Sequence, residues 1–317
     1  MLRNVHRLGV LFACALPACG GGAKDGAKSG GGAERGAEQA ARPEAGGGTA
    51  PSQEEPGLAV AAGDEIEQGP LPPNSDMVLF VNDGGLLPLG CFRAEDKKIE
   101  TGTKCLDMVP DGAEVRLGTT TSTAKRKVTG RVEPLCLAGS GKKVALSAEG
   151  LGGGASYVVA VYPPPTYRAV TLVPEETKSE KATKLAEDVR AQWRAALSRL
   201  GAPQGAVEAV QVARVDVDGN GVEDLFAALV IPDPANDERY RYSGALLAPD
   251  GDIAKAVQVE RSKRREDVFE LRGVVDLDGD GRRELWLRMN FAEGGGDRLV
   301  RLDGSKAVPL GRWTCGV

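Results

Sequence analysis

Asp216–Asp224 reads DVDGNGVED and Asp276–Glu284 reads DLDGDGRRE. Each stretch puts an oxygen-bearing side chain at positions 1, 3, 5 and 9 and a glycine at position 6: Asp216, Asp218, Asn220 and Asp224 in the first, Asp276, Asp278, Asp280 and Glu284 in the second. A hard cation needs several oxygen ligands converging on a tight loop, and a glycine supplies the sharp turn. Calcium is the ion such an all-oxygen set suits. The competing reading is a plain hairpin turn without metal, since Asp, Asn and Gly are ordinary turn formers. Two copies with matching flanks make a repeat rather than an accident. The second copy has four carboxylates against three, so it is expected to bind more tightly and, without metal, to repel itself more strongly.

The flanks define the unit. AVQVARV leads into the first loop and FELRGVV into the second, while DLFAALVI and ELWLRMNF lead out. Each copy then reaches a second turn, at Asp250–Gly251 and at Asp303–Gly304. The unit is strand, acidic loop, strand, connection, strand. Alternation of Leu285, Leu287, Met289 and Phe291 against Trp286, Arg288 and Asn290 puts the first set on a buried face. An EF-hand shares the opening DxDxDG but needs an acid at position 12 and a following helix. Position 12 is Ala227 in one copy and Leu287 in the other, both inside strand-like runs.

With these residues in view, residues 204–317 resemble the FG-GAP and VCBS repeats, whose strand-flanked loops bind calcium in propellers and in secreted bacterial proteins. The resemblance implies side-chain ligands from the eight residues named above, with main-chain carbonyls from Val222 and Arg282 completing the two sets. A propeller closes with four to eight blades. Two copies leave open whether the sheet is part of a propeller, an open sheet covered by a helix, or another arrangement.

Upstream, residues 75–172 carry apolar runs of strand length, MVLFV from Met77, AEVRLG from Ala113, KVTGRV from Lys127 and YVVAVY from Tyr157, punctuated by Gly, Asp and Pro. They predict a β sandwich or barrel-like domain. From Glu175 to Leu200 the spacing changes to three and four, through Ala182, Leu185, Val189, Trp193, Ala196 and Leu200, with Gly201 and Pro203 as a stop. The expected fold is therefore mainly β with one long amphipathic helix, within residues 173–203, between the N-terminal β domain and the two-repeat sheet. Trp193 is read as core.

Residues 1–18 read as a signal peptide: Arg3 and Arg7, an apolar run from Leu8 to Leu16, then Leu16, Pro17, Ala18 and Cys19. The ending resembles a bacterial lipoprotein cleavage box with Cys19 as the acylated residue; a plain secretory signal is the alternative. Residues 19–74 are Gly, Ala and Glu rich with almost no branched apolar residue, a disordered tether. These features predict an exported protein, lipid-anchored at Cys19 to the cell envelope, with Gly20 pointing to the outer membrane. Cys91, Cys105, Cys136 and Cys315 form an even set, and four cysteines allow three pairings. Cys91 with Cys105 and Cys136 with Cys315 is the expected pairing; a thiolate metal site is the alternative, with no CxxC pair to support it.

A net charge of −5 argues against a nucleic-acid partner. The basic run Arg261, Lys263, Arg264 and Arg265 reads as a solvated connection, because Glu260, Glu266 and Asp267 surround it. The chain's only histidine is His6, which excludes Ser/His/Asp and Cys/His catalysis and histidine-ligated metal in the mature chain. The SxxK match at Ser122 to Lys125 and the GSGKK at Gly139 lack the partner motifs that would give them chemistry. The expectation is a membrane-anchored, non-catalytic, calcium-binding lipoprotein acting as a binding or envelope-structural module with a protein or envelope-polymer partner. The alternative is a carboxylate-dependent hydrolase acting on envelope or extracellular polymers.

Overall fold

The computed structural model describes residues 75–316 apart from 120–122, 138, 152–158, 165–169, 175–176 and 292–293. The expected signal peptide, Cys19 and the tether lie outside the described residues. The described chain is mainly β.

Seven strands come first: β1 (Met77–Asn82), β2 (Leu86–Arg93), β3 (Lys98–Glu100), β4 (Glu114–Gly118), β5 (Thr123–Val132), β6 (Ala145–Ala148) and β7 (Val159–Tyr162). They hydrogen-bond in the order β1-β7-β4-β5-β6-β2-β3, and an additional β1–β2 pairing closes six of them into a barrel with β3 added on β2. Closure removes the open edges a small sheet would expose. Strand β1 explains the unbroken apolar run MVLFV. Val78 and Phe80 join the core lined by Val115, Leu117 and Leu146. Met77, Leu79 and Val81 belong to a second cluster shared with Leu277, Trp286 and Leu299 downstream. A strand buried on both faces loses its polar alternation.

Cys91 and Cys105 are bonded at a Cα–Cα distance of 5.6 Å, buried in the barrel core. Cys136 and Cys315, at 5.5 Å, tie the 3-10 turn Leu135–Leu137 to the last strand. This is the pairing expected from the sequence, and a disulfide leaves no thiolate for metal.

Downstream lie β8 (Val170–Leu172), β9 (Lys178–Lys184), α1 (Glu187–Arg199), β10 (Glu208–Val215), β11 (Asp224–Asp233), β12 (Asn236–Ala248), β13 (Val257–Arg261), β14 (Val268–Val275), β15 (Glu284–Phe291), β16 (Gly294–Asp303) and β17 (Lys306–Gly316). Each repeat is a four-stranded antiparallel meander extended by one upstream strand, giving sheets β13-β12-β11-β10-β9 and β17-β16-β15-β14-β8. Two expectations need correction. Strand β8, assigned to the N-terminal domain, pairs with β14 of the second repeat. The long helix is a 13-residue helix, because Lys178–Lys184 is a strand paired with β10. Ala182 is the only apolar residue in KSEKATK, so a helix there would bury no stripe, whereas a strand satisfies the backbone edge of β10. The helix proper carries Glu187 and Asp188 in its first turn and Arg199 in its last, which complement its dipole.

The two repeat sheets pack face to face. Phe226, Ala228, Val230 and Leu247 of one meet Phe269, Leu271, Leu285 and Leu287 of the other. Strand β11 turns Ala227, Leu229 and Ile231 the opposite way, against Trp193, Ala196 and Leu197 of α1. The layers run helix, first sheet, second sheet, barrel. Leu285, Leu287 and Met289 face the shared core as expected, but Trp286 is buried as well, because the barrel covers the other face of β15.

Trp193 is fully buried. Trp193→Ala should cost about 3–5 kcal/mol in denaturant unfolding. Trp193→Phe should cost far less, since the indole N–H it removes has no partner among the described residues.

Candidate cation-binding loops

The two acidic stretches are the β10–β11 and β14–β15 connections, and they share one backbone form. Gly219 and Gly279 have φ of 74° and 73°, Gly221 and Gly281 of 84° and 88°. Three hydrogen bonds recur. Asp216 Oδ2 accepts from Gly221 N at 3.2 Å, as Asp276 Oδ2 does from Gly281 N at 3.0 Å. Asn220 Oδ1 accepts from Val222 N at 2.6 Å, as Asp280 Oδ1 does from Arg282 N at 2.8 Å. Asp224 Oδ2 accepts from Val217 N at 2.9 Å, as Glu284 Oε2 does from Leu277 N at 3.0 Å. The acid at position 9 thus braces the loop from within.

In the second loop, carboxylate oxygens of Asp276, Asp278 and Asp280 lie within 4.8 Å of one another. Asp276 Oδ1 and Asp278 Oδ1 are buried without a hydrogen-bond partner among the described residues. Buried anionic oxygens without donors are costly, and a cation is the group that would satisfy them. The residues present therefore fit a hard cation.

Two residues that the loop motif does not contain complete the sites. Asp250, from the turn after β12, donates its N–H to Asp224 Oδ1 at 2.9 Å and accepts from Asn220 Nδ2 at 3.2 Å. Arg301 of β16 binds Glu284 Oε1 through Nε at 2.7 Å and Nη2, and Asp278 Oδ2 at 2.7 Å. Arg283 of the second loop reaches back to Asp216, 3.4 Å from Oδ2. Each loop then has four carboxylates facing one arginine, which evens the difference counted within the motifs alone. Asp250 sits in the second turn read from the sequence, but nothing local ties that turn to the loop, and Arg301 has no local signal at all, because both are distant from the loops in the chain.

The loops also interlock. Arg283 N donates to the Val217 carbonyl at 2.7 Å, and a Cβ on Gly219 would sit 2.2 Å from the Gly281 carbonyl oxygen. Gly219→Ala should therefore force the loops apart and cost at least as much unfolding free energy as an ordinary left-handed glycine substitution, about 1 kcal/mol or more, read as a lower melting temperature. Gly281→Ala, which meets no neighbouring atom within 4 Å, separates the strain of positive φ from the clash.

Burial pushes the Asp224 and Asp276 carboxyls up, with neighbouring acids adding to the effect. Burial pushes Glu284 up to about 7, and Arg301 pulls it back only part of the way. The same contacts hold the Arg301 proton more firmly than usual. An acid whose folded pKa lies above its unfolded value binds more protons when folded, so stability falls as pH rises between the two. In chelator, unfolding free energy should fall between pH 4.5 and about 7, by up to ~1.4 kcal/mol per unit from this group. Glu284→Gln should flatten that slope in denaturant titrations across the range.

Away from the loops, Asp83, Cys136 and Cys315 converge, but both sulfurs are in the disulfide. Lys125 lies on β5, and Ser122 falls outside the described residues. No described helix is long and apolar enough to cross a membrane. Compared with protein-family models, with curated proteins and with solved structures, the chain gives no match.

Proposed function

We propose that the protein is a non-catalytic, calcium-binding module, exported and tethered to the cell envelope through Cys19, in which the metal braces the junction of the two repeat sheets. The observation that carries the metal reading is the convergence of Asp276, Asp278 and Asp280 with two buried oxygens left without donors. In the second loop Asp276, Asp278, Asp280, the Arg282 carbonyl and Glu284 would hold the ion. Asp216, Asp218, Asn220, the Val222 carbonyl and Asp224 would do so in the first, with Asp250 added beside them. The position 9 acids would ligate through lone pairs left after their N–H bonds. Calcium would also lower the carboxyl pKa values that burial raises, converting repulsion into a brace.

The anchoring half rests on the sequence, on the apolar leader ending at Ala18 and Cys19 and on the Gly, Ala and Glu-rich stretch behind it. The absence of histidine beyond His6 supports the non-catalytic half. Envelope compartments facing millimolar calcium would keep even a weak site filled. A dissociation constant near 0.1 mM would contribute about 1.4 kcal/mol per site at 1 mM calcium.

Thermal melting of the protein with calcium and with chelator tests the metal reading. Calcium should raise the melting temperature by about 3–6 °C per occupied site, and Asp276→Ala should abolish the second loop's share. Equal melting temperatures in calcium and chelator would reduce both loops to turns.

A further inference from the structure

The run ERSKRRED, Glu260 to Asp267, is nearly charge-balanced in sequence, but the fold sorts its charges. Glu260 pairs with Arg298 at 2.6 Å, Glu266 with Arg239 at 3.1 Å and Arg265 with Asp233 at 3.5 Å. Asp267 is 3% exposed and its Oδ2 accepts the Ser262 hydroxyl at 2.5 Å. Arg261, Lys263 and Arg264 are left exposed, with no ion pair among the described residues. They line a cleft of about 930 Å³ between β13 and β17, with Arg312 as an unpaired cation contributed by β17. The cleft shares Glu260 to Lys263 with a shallower groove of about 780 Å³ that reaches Lys306. The cationic surface is therefore elongated rather than a single anion pocket.

Two guanidiniums are held without losing their charge. Arg261 lies over the Tyr242 ring at 5.1 Å and Arg264 over Phe291 at 5.4 Å. Stacking fixes each plane and leaves its N–H edges for a ligand. The lining also includes Thr101 and Thr314, both exposed, whose hydroxyls can exchange hydrogen bonds with a ligand. Hydroxyls among cations match a chain that carries hydroxyls as well as acids. Phe291 is the only aromatic side chain in the lining and Arg264 already covers it, so there is no stacking platform for nucleic-acid bases.

We propose that the groove between β13 and β17 binds an extended acidic polysaccharide, its carboxylate, sulfate or phosphate groups on Arg261, Lys263, Arg264 and Arg312 and its hydroxyls beside Thr101 and Thr314. This names the partner class for the tethered module and rests on none of its calcium chemistry. The Arg264 end of the groove lies at the opposite end of β14 from the acidic loop, about 25 Å along the strand, and the groove runs from there between β13 and β17 to Lys306, which pairs with Asp303 on the loop side of the sheet.

The test is titration calorimetry of the full-length protein with polygalacturonate, always in chelator, so that failure of the calcium reading leaves the result untouched. Polygalacturonate should bind with an affinity that falls as salt rises. Neutral dextran and polyglutamate should bind at least ten-fold more weakly. Arg261→Gln with Arg264→Gln should weaken binding about ten-fold or more, and Arg265→Gln, whose guanidinium pairs with Asp233, less than two-fold. If the double variant melts early, Arg312→Gln and Lys306→Gln, both exposed, carry the comparison. No binding of polygalacturonate, equal binding of polyglutamate, or groove variants indistinguishable from Arg265→Gln would overturn the assignment. Sulfated and phosphorylated dextrans distinguish which acid the groove prefers.

Discussion

Each repeat sheet has two apolar faces, and burying both is the constraint on which the architecture depends. Strand β11 turns Phe226, Ala228 and Val230 to one side and Ala227, Leu229 and Ile231 to the other. The second repeat does the same with Leu285 and Leu287 against Trp286. Two such sheets can cover one face each by stacking on one another, and the two outer faces must find other cover. A propeller solves this by adding blades until the ring closes. Here α1 covers one outer face and the barrel covers the other, so two repeats suffice. Without those caps the outer faces would expose contiguous apolar surface that favours association.

Stacking the repeats also places their acidic loops side by side at one end of the sandwich. Acids brought this close repel unless something neutral or cationic intervenes. The protein answers with Arg283 and Arg301, with N–H donors to most carboxylates, and with close packing of the Gly219 and Gly281 backbones. The unsatisfied oxygens of Asp276 and Asp278 are the remainder of that balance. At the other end of the strands the β13–β14 connection does the reverse, spending its acids on pairs elsewhere and leaving cations facing the groove. The molecule is thus electrically polar along its strands despite a modest net charge.

Much of this was readable from residues alone. The two nine-residue loops, their flanking strands and the core position of Trp193 all follow from local pattern. A loop motif and a strand alternation are statements about neighbours in sequence. The reading failed at Lys178–Lys184, where a weak helical spacing lost to the free edge of β10, because unsatisfied backbone groups outrank propensity. It failed again at Val170–Leu172 for the same reason: an edge strand goes to whichever sheet offers it a ladder.

From residues alone the repeat is legible: strand, acidic loop, strand, with its glycines and its oxygen-bearing side chains at set positions. Which residues share each site came from the way the sheets stack. Asp250 reaches the first loop from the turn after β12, Arg301 reaches the second from β16, and Arg283 crosses from one repeat to the other. The charges of Glu260 to Asp267 were sorted by partners such as Arg298 and Asp233, which lie far away in the chain. Coulomb interactions depend on distance in space, and distance in space is set by how sheets stack, which no local pattern encodes.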